Sequence, residues 1–138
     1  MARTQSELQV ITHAKNLCAY VMTITQKSPK QFRFSLIGRM QGYVLDIVEE
    51  LYYANDIFVT PESRAGWAQR QAHQRKAMST LKLLVYVAQI SREQQAIQPK
   101  QFEQISIQAY NVKNLLGTTS IRTVRESVKG QSKSQTLF

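Results

Sequence analysis

The stretch SPKQFRFSLIGRMQGYVLDIVEELYYAN, residues 28–55, decides the fold. Ser28 and Pro29 have the order of a helix N-cap followed by proline in the first turn, and Gln31 stands at the capping-box position. Apolar residues then recur at steps of three and four, which is typical of a helix with one buried face. They are Leu36, Ile37, Met40, Tyr43, Val44, Ile47, Val48 and Leu51. The sequence predicts an amphipathic helix over 29–55.

The same signals extend outward in both directions. Thr60-Pro61 and Gln98-Pro99 repeat the proline start and predict helices over 61–95 and from residue 99 onward, although glutamine is a poor cap. A fourth helix is predicted over 6–27, ahead of the deciding stretch. Its apolar stripe is Leu8, Ile11, Ala14, Cys18, Val21 and Met22. The stripe predicted for the third helix is Trp67, Met78, Leu81, Leu84, Val85 and Ala88.

Four amphipathic helices with short connections predict an all-α fold, an up-down-up-down four-helix bundle. No segment shows the sustained alternation of a strand. The Gly38-x-x-x-Gly42 spacing is interpreted as a close helix crossing within the bundle. We predict a bundle over 1–121 and a basic, flexible tail over 122–138, with the fourth helix ending near Val128 and disorder from Gly130 onward.

Composition narrows the class of protein. A chain of 138 residues fits one domain, and 43% hydrophobic with 20% charged residues is ordinary for a folded protein. The single cysteine excludes an internal disulfide and favours a reducing compartment. The N-terminus lacks the apolar core of a signal peptide, and no charge-free run is long enough to span a bilayer. We expect a cytoplasmic protein without a membrane partner.

Charge is strongly asymmetric along the chain. The net charge is +9, and residues 61–138 supply +8 of it, with twelve bases against four acids. No acid occurs between Glu62 and Glu93. Such a surface attracts polyanions, among which a nucleic acid bound through its phosphates is the first candidate. The predicted nucleic-acid-binding residues are Arg64, Arg70, Arg75, Lys76, Lys82, Arg122 and Arg125.

The alternative for these bases is a solvated helix face or an ordinary basic tail. Solvent-facing helices normally intersperse both signs, and this favours binding for the third helix. Arg122 and Arg125, in the tail, are equally compatible with either interpretation. No recognition helix or aromatic stacking motif is evident, so binding is predicted to depend on shape and phosphates rather than on base identity.

Residues for catalysis are sparse. His13 and His73 have no cysteine or carboxylate at metal-ligand spacing and are expected at the surface. Cys18 lies on an apolar stripe and is expected to be a small buried hydrophobe. The acids of the second helix, including Glu50, are expected to be solvated or paired with a neighbouring basic helix. We therefore predict no enzymatic activity, no cofactor and no metal site.

Aromatic residues near the turn between the second and third helices suggest a contact surface. Tyr52 and Tyr53 are adjacent, and Phe58 follows shortly after. Amphipathic aromatic side chains on a helix flank either border a core or begin a subunit contact. A self-association surface there is an expectation with packing within the subunit as its alternative.

The order and spacing of several short segments resemble the accessory variability determinant family of diversity-generating retroelements and its four-helix relatives encoded in ribosomal-RNA intervening sequences. The resembling segments cover most of residues 8–121. They are KNLCAY at 15–20, SPKQFRF at 28–34, AMSTLKLL at 77–84, QPKQFEQ at 98–104 and NLLG at 114–117.

This resemblance implies a cyclic homopentamer with a basic surface. It implies two partners, a reverse transcriptase and its structured template RNA, with cDNA or an RNA/DNA hybrid as alternative ligands. The function implied is support of mutagenic cDNA synthesis without an active site in the accessory subunit. The family's basic residue after a leucine of the third helix corresponds to Lys82, and physical grounds extend the role to Arg75 and Lys76.

Two departures limit what the resemblance implies. The tail after Ser120 has no match to the family. The intervening-sequence relatives share the fold without a reverse transcriptase partner, so fold likeness does not assign a pathway. The alternative function is a stand-alone interaction bundle of the intervening-sequence type.

Overall fold

The computed structural model describes the backbone of residues 5–60 and 62–136 and the side chains of residues 8–60, 62–119 and 125. These residues form four α-helices and no strand, which confirms the all-α prediction. The helices are α1 (Gln5–Thr25), α2 (Gly38–Asp56), α3 (Arg64–Glu93) and α4 (Pro99–Thr136). None of these four helices, over the residues described, combines the length and apolar character needed to cross a bilayer.

Each helix packs against two others. α1 contacts α2 and α4, and α3 likewise contacts α2 and α4, so the apolar stripes meet in one core. The core includes Leu17 of α1, Met40 and Ile47 of α2, Leu81 and Leu84 of α3, and Ile105 and Leu116 of α4, all at most 1% exposed. Burial of this much apolar side chain is the main favourable contribution to folding.

The stripe of α1 differs from the predicted one. Val10, Ala14, Leu17 and Val21 are buried, whereas Leu8 is 47% exposed. The predicted positions Ile11, Cys18 and Met22 are only partly buried beside the core. Two sets with steps of three and four run along this apolar helix, and periodicity alone could not choose between them.

α2 does not begin at Pro29 as an α-helix. A short 3-10 turn (Lys30–Phe32) and a π-helical turn (Arg33–Ile37) come first, and no side chain caps the 3-10 turn, so the predicted capping by Ser28 is wrong. Gly38 closes the π turn tightly, because a Cβ there would lie 3.0 Å from the Arg33 carbonyl oxygen. At Gly42, a Cβ would have no described atom within 4 Å apart from the neighbouring backbone of α2 itself. The predicted close helix crossing is therefore wrong within the subunit.

α3 begins later than predicted, at Arg64. Pro61, the predicted first residue, lies outside the described residues. The Thr60 N–H donates to Ser63 Oγ at 3.1 Å, and the Ser63 N–H donates to the Thr60 carbonyl at 3.0 Å. These hydrogen bonds between Thr60 and Ser63 precede the first helical residue, Arg64.

A left-handed residue, Gln95, follows the C-cap of α3, and α4 begins after a short turn. Gln95 has φ 65°, and the Ala96 and Gln95 N–H groups donate to the carbonyls of Ser91 (2.7 Å) and Arg92 (3.0 Å). This pair of hydrogen bonds is a common way to satisfy the last carbonyls of a helix. α4 begins at Pro99, as predicted.

α4 is longer than predicted and runs to Thr136, through the segment from Gly130 onward for which disorder was expected. No proline follows Pro99, and each of the two glycines of α4 costs only about 1 kcal/mol relative to alanine. The boundary at residue 121 therefore does not coincide with a helix end, and the division into bundle and tail stays a prediction.

Candidate nucleic-acid interface

The first part of α3 is partly neutralised by α2. Glu50, 6% exposed, places Oε2 2.5 Å from Nδ1 of His73 and Oε1 3.2 Å from Nζ of Lys76. Burial by itself would raise the pKa of Glu50, but hydrogen bonds and charge from His73 and Lys76 outweigh it and hold the pKa below its ordinary value. Lys76 therefore has a carboxylate partner, as the sequence anticipated for the acids of α2.

His73 is not the simple surface histidine that was predicted. It joins Glu50 across the α2–α3 contact, and its ring centre lies 5.5 Å from that of Tyr53. Glu50 and His73 are far apart in sequence, so no local spacing indicated that they form a pair. In the described part of the chain, no group of three or more His, Cys, Asp or Glu residues is arranged to hold a metal ion.

Arg70 has a structural role, and its predicted place on the binding surface is wrong. The side chain is only 6% exposed. Its Nε donates to the Ala54 carbonyl at 3.0 Å and its Nη2 to the Ile57 carbonyl at 2.8 Å, so it binds the last carbonyls of α2. Its guanidinium also lies 5.4 Å from the centre of the Trp67 ring. A cation held in this way is not available to an external phosphate.

Three other predicted bases of α3 form one line along the helix. Arg64, Arg75 and Lys82 are all exposed, and the steps between them, eleven and seven residues, are close to three and two full turns. The line is about 27 Å long at 1.5 Å per residue. None of the three has an ion-pair partner among the residues whose side chains are described.

Lys82 lies at the contact between α3 and α4. A groove of about 430 Å³, the α3–α4 groove, is lined by Lys82, Val85 and Tyr86 of α3 and by Ala109, Tyr110 and Lys113 of α4. Lys113 is exposed and was not among the predicted site residues. We call Arg64, Arg75, Lys82 and Lys113 the basic seam.

Acidic residues are absent from both walls of the basic seam. α3 has no acid between Arg64 and Arg92, and α4 has none between Gln104 and Arg125. The second of these acid-free stretches was the signal in the sequence that could have identified Lys113. Because no described carboxylate neutralises it, the basic seam is the arrangement best suited to bind a polyanion.

Of the two predicted tail arginines, only Arg125 has a described side chain, and it does not lie in the basic seam. Arg125 is exposed and follows Lys113 by twelve residues. At 3.6 residues per turn, its position is rotated about a third of a turn from that of Lys113 around the axis of α4. The side chain of Arg122 lies outside the described residues. The roles of both arginines in binding stay predictions.

A second groove lies between α1 and α2. Its volume is about 690 Å³, and its walls include Cys18, Leu45, Val48, Glu49, Tyr52 and Tyr53. The two tyrosine rings meet edge to face with centres 6.0 Å apart, and Tyr52 and Phe58 are 52% and 69% exposed. Burial raises the pKa of the Cys18 thiol, which favours the protonated form. This surface is mostly apolar, unlike the basic seam.

No protein-family model matches the chain, and comparisons with curated proteins and with solved structures find no match either.

Proposed function

We propose that this chain is a non-catalytic, nucleic-acid-binding accessory subunit of a diversity-generating retroelement. In this role it binds a reverse transcriptase and its structured template RNA and supports mutagenic cDNA synthesis. The retroelement assignment rests on the sequence resemblance. The observation that carries nucleic-acid binding is the basic seam, whose four exposed cations have no ion-pair partner among the described side chains.

Phosphate contacts account for this binding. Each lysine or arginine that neutralises a phosphate releases condensed counterions, so affinity falls as salt rises. Arginine at positions 64 and 75 offers a planar fork for phosphate oxygens, whereas lysine at 82 and 113 acts as a point charge. These contacts position a polyanion and carry no base sequence information.

The finer architecture is part of the proposal. We take the four helices to run up-down-up-down and the subunits to form a cyclic homopentamer in the cytoplasm. The apolar α1–α2 groove and the exposed Tyr52 and Phe58 support a subunit contact, because exposed apolar patches mark interaction sites.

A charge reversal confined to the basic seam tests the site. The variant Arg75→Glu/Lys82→Glu/Lys113→Glu should lose binding to a structured RNA and keep its helical circular dichroism. Lys76 is left unchanged because of its contact with Glu50. Each lost phosphate contact should also flatten the salt dependence by about one unit of slope.

A matched control variant has the same net charge as the seam variant just described. The variant Lys27→Glu/Lys30→Glu/Arg39→Glu reverses three exposed bases of α2 and of the segment that joins it to α1. It should bind RNA far better than the seam variant. Equal losses in the two variants would mean that net charge alone attracts RNA, and would favour the stand-alone interaction bundle instead.

A further inference from the structure

Two tyrosines stand exposed on the walls of the α3–α4 groove. Tyr86 of α3 is 68% exposed and Tyr110 of α4 is 61% exposed, although each is close to the apolar core residues of its own helix. Neither ring makes a hydrogen bond or a ring contact with any described residue. Both aromatic faces are therefore open to a ligand.

Each tyrosine has a lysine beside it on the same helix. Lys82 precedes Tyr86 by four residues, and Lys113 follows Tyr110 by three, and both spacings make side chains neighbours on a helix surface. All four residues line the same groove. The groove thus has an aromatic ring and an ammonium group on each wall, and Val85 and Ala109 between them.

We propose that the α3–α4 groove binds single-stranded nucleic acid, with bases stacked on Tyr86 and Tyr110 and phosphates held by Lys82 and Lys113. This rests on the proposed function and names the form of nucleic acid that this part of the basic seam takes. It also goes beyond the phosphate-only binding that the sequence predicted.

The chemistry selects a single strand. Aromatic rings in a positively charged groove are how proteins hold single strands without sequence preference, because every base has a face to stack. In a duplex the bases are already stacked and paired, so the rings could reach base edges and the backbone but could not stack on a base face. A volume of about 430 Å³ is within the range of pockets that hold small planar ligands.

A second copy of the chain suits this groove less well. The cores of protein interfaces are depleted in lysine, and here a lysine stands beside each exposed ring. The α1–α2 groove, by contrast, has one acid, Glu49, and one base, Lys15, among mostly apolar residues, so its charges balance. Charge complementarity therefore directs the α3–α4 groove toward a polyanion and leaves the other groove for a protein contact.

Substitution of the rings tests stacking separately from charge. The probes are a single-stranded oligouridine of about 12 nucleotides, within the usual site size for such proteins, and a blunt RNA duplex. Tyr86→Ala and Tyr110→Ala should each weaken oligouridine binding roughly 5- to 100-fold at every salt concentration, with an unchanged salt slope. Binding to the duplex should change little.

Three comparisons complete the design. Tyr86→Phe and Tyr110→Phe keep the aromatic face and should bind oligouridine nearly as the wild type does. Phe34→Ala removes an aromatic ring that is 95% exposed in the π turn before α2, outside both grooves, and should leave oligouridine binding unchanged. Light scattering on every variant reports the mass of the assembly.

The outcomes separate the two proposals. If the alanine variants bind oligouridine normally and reversal of Lys82 and Lys113 abolishes binding, stacking is refuted and the phosphate-binding seam stands. If neither change matters, both proposals fail. If the alanine variants lower the mass of the assembly and leave RNA affinity unchanged, the groove is a subunit contact and the stacking proposal is overturned.

Discussion

Arg70 donates a hydrogen bond from Nη2 to the Ile57 carbonyl, 2.8 Å away, and so links α3 to the end of α2. The charge density of α3 alone would assign this arginine to the binding surface. Its burial instead separates a structural cation from the exposed Arg64 and Arg75, which lie six residues before it and five residues after it. Stability and RNA affinity should therefore respond to different arginines.

Arg70→Ala should lower the free energy of unfolding by about 3 kcal/mol, because the carbonyls of α2 lose charged donors that water replaces poorly. Urea unfolding measures the loss. Arg75→Ala is the matched control: it removes an exposed arginine of the same helix and should leave stability within about 0.5 kcal/mol of the wild type. The account is contradicted if Arg75→Ala is the more destabilising of the two.

Glu50 should make stability depend on pH in the acid range. Its pKa in the folded protein is lower than in the unfolded chain, so its contribution is present above the ordinary carboxylate pKa near 4.5 and disappears as pH falls through the folded value. Glu50→Gln should cost about 2 kcal/mol near neutral pH, because His73 and Lys76 lose a charged partner.

A pH series tests whether Glu50 stabilises the protein through its charge. Unfolding of the wild type and of Glu50→Gln by urea, at steps from pH 7 down to acid, should give a difference that shrinks below about pH 4.5. A difference that stays constant over the whole series would show that Glu50 acts through packing rather than through its charge.

Gly42→Ala should stabilise the protein by about 0.5–1 kcal/mol, since the position is inside α2 and has open space where the methyl group would lie. Gly38→Ala is the control, because its methyl group would meet the Arg33 carbonyl oxygen at 3.0 Å. Thermal or chemical unfolding of the two variants compares them. A loss of stability in Gly42→Ala would indicate that another subunit approaches this glycine closely.

Gln95→Gly should also stabilise the protein. Gln95 adopts φ 65°, a left-handed conformation that costs a non-glycine residue about 1–2 kcal/mol. Glycine has no Cβ and adopts it freely, although its more flexible unfolded chain offsets part of the gain. A net gain of about 0.5–1 kcal/mol in chemical unfolding is expected. Gln94→Gly, one residue earlier at φ −85°, should give no gain.

The positions of the helices could largely be predicted from the sequence, because the prolines and the periodic apolar residues are local signals. The start of α4 at Pro99 and the buried Met40, Ile47, Leu81 and Leu84 follow from them. The π turn before α2 was not predictable in this way, since it depends on how the chain enters the bundle after Pro29.

The candidate site could be predicted only in part from the sequence, because the partners that neutralise or bind its cations are distant in sequence. Nothing local shows that Glu50 faces Lys76 or that Arg70 reaches the carbonyl of Ala54. The thin apolar stripe at the start of α3 was a hint, since the inward positions there carry Arg70 and Gln74. Lys113 was accessible in principle from its acid-free surroundings but becomes part of a site only when α4 lies beside α3.

The most direct test of the account is a salt titration of RNA binding by the purified wild-type protein, with its mass measured by light scattering on the same sample. We predict an assembly near five times 15.8 kDa whose RNA affinity falls steeply and linearly on a log–log plot against salt. A monomer that binds RNA no better than an unrelated protein of equal charge would contradict the central claim.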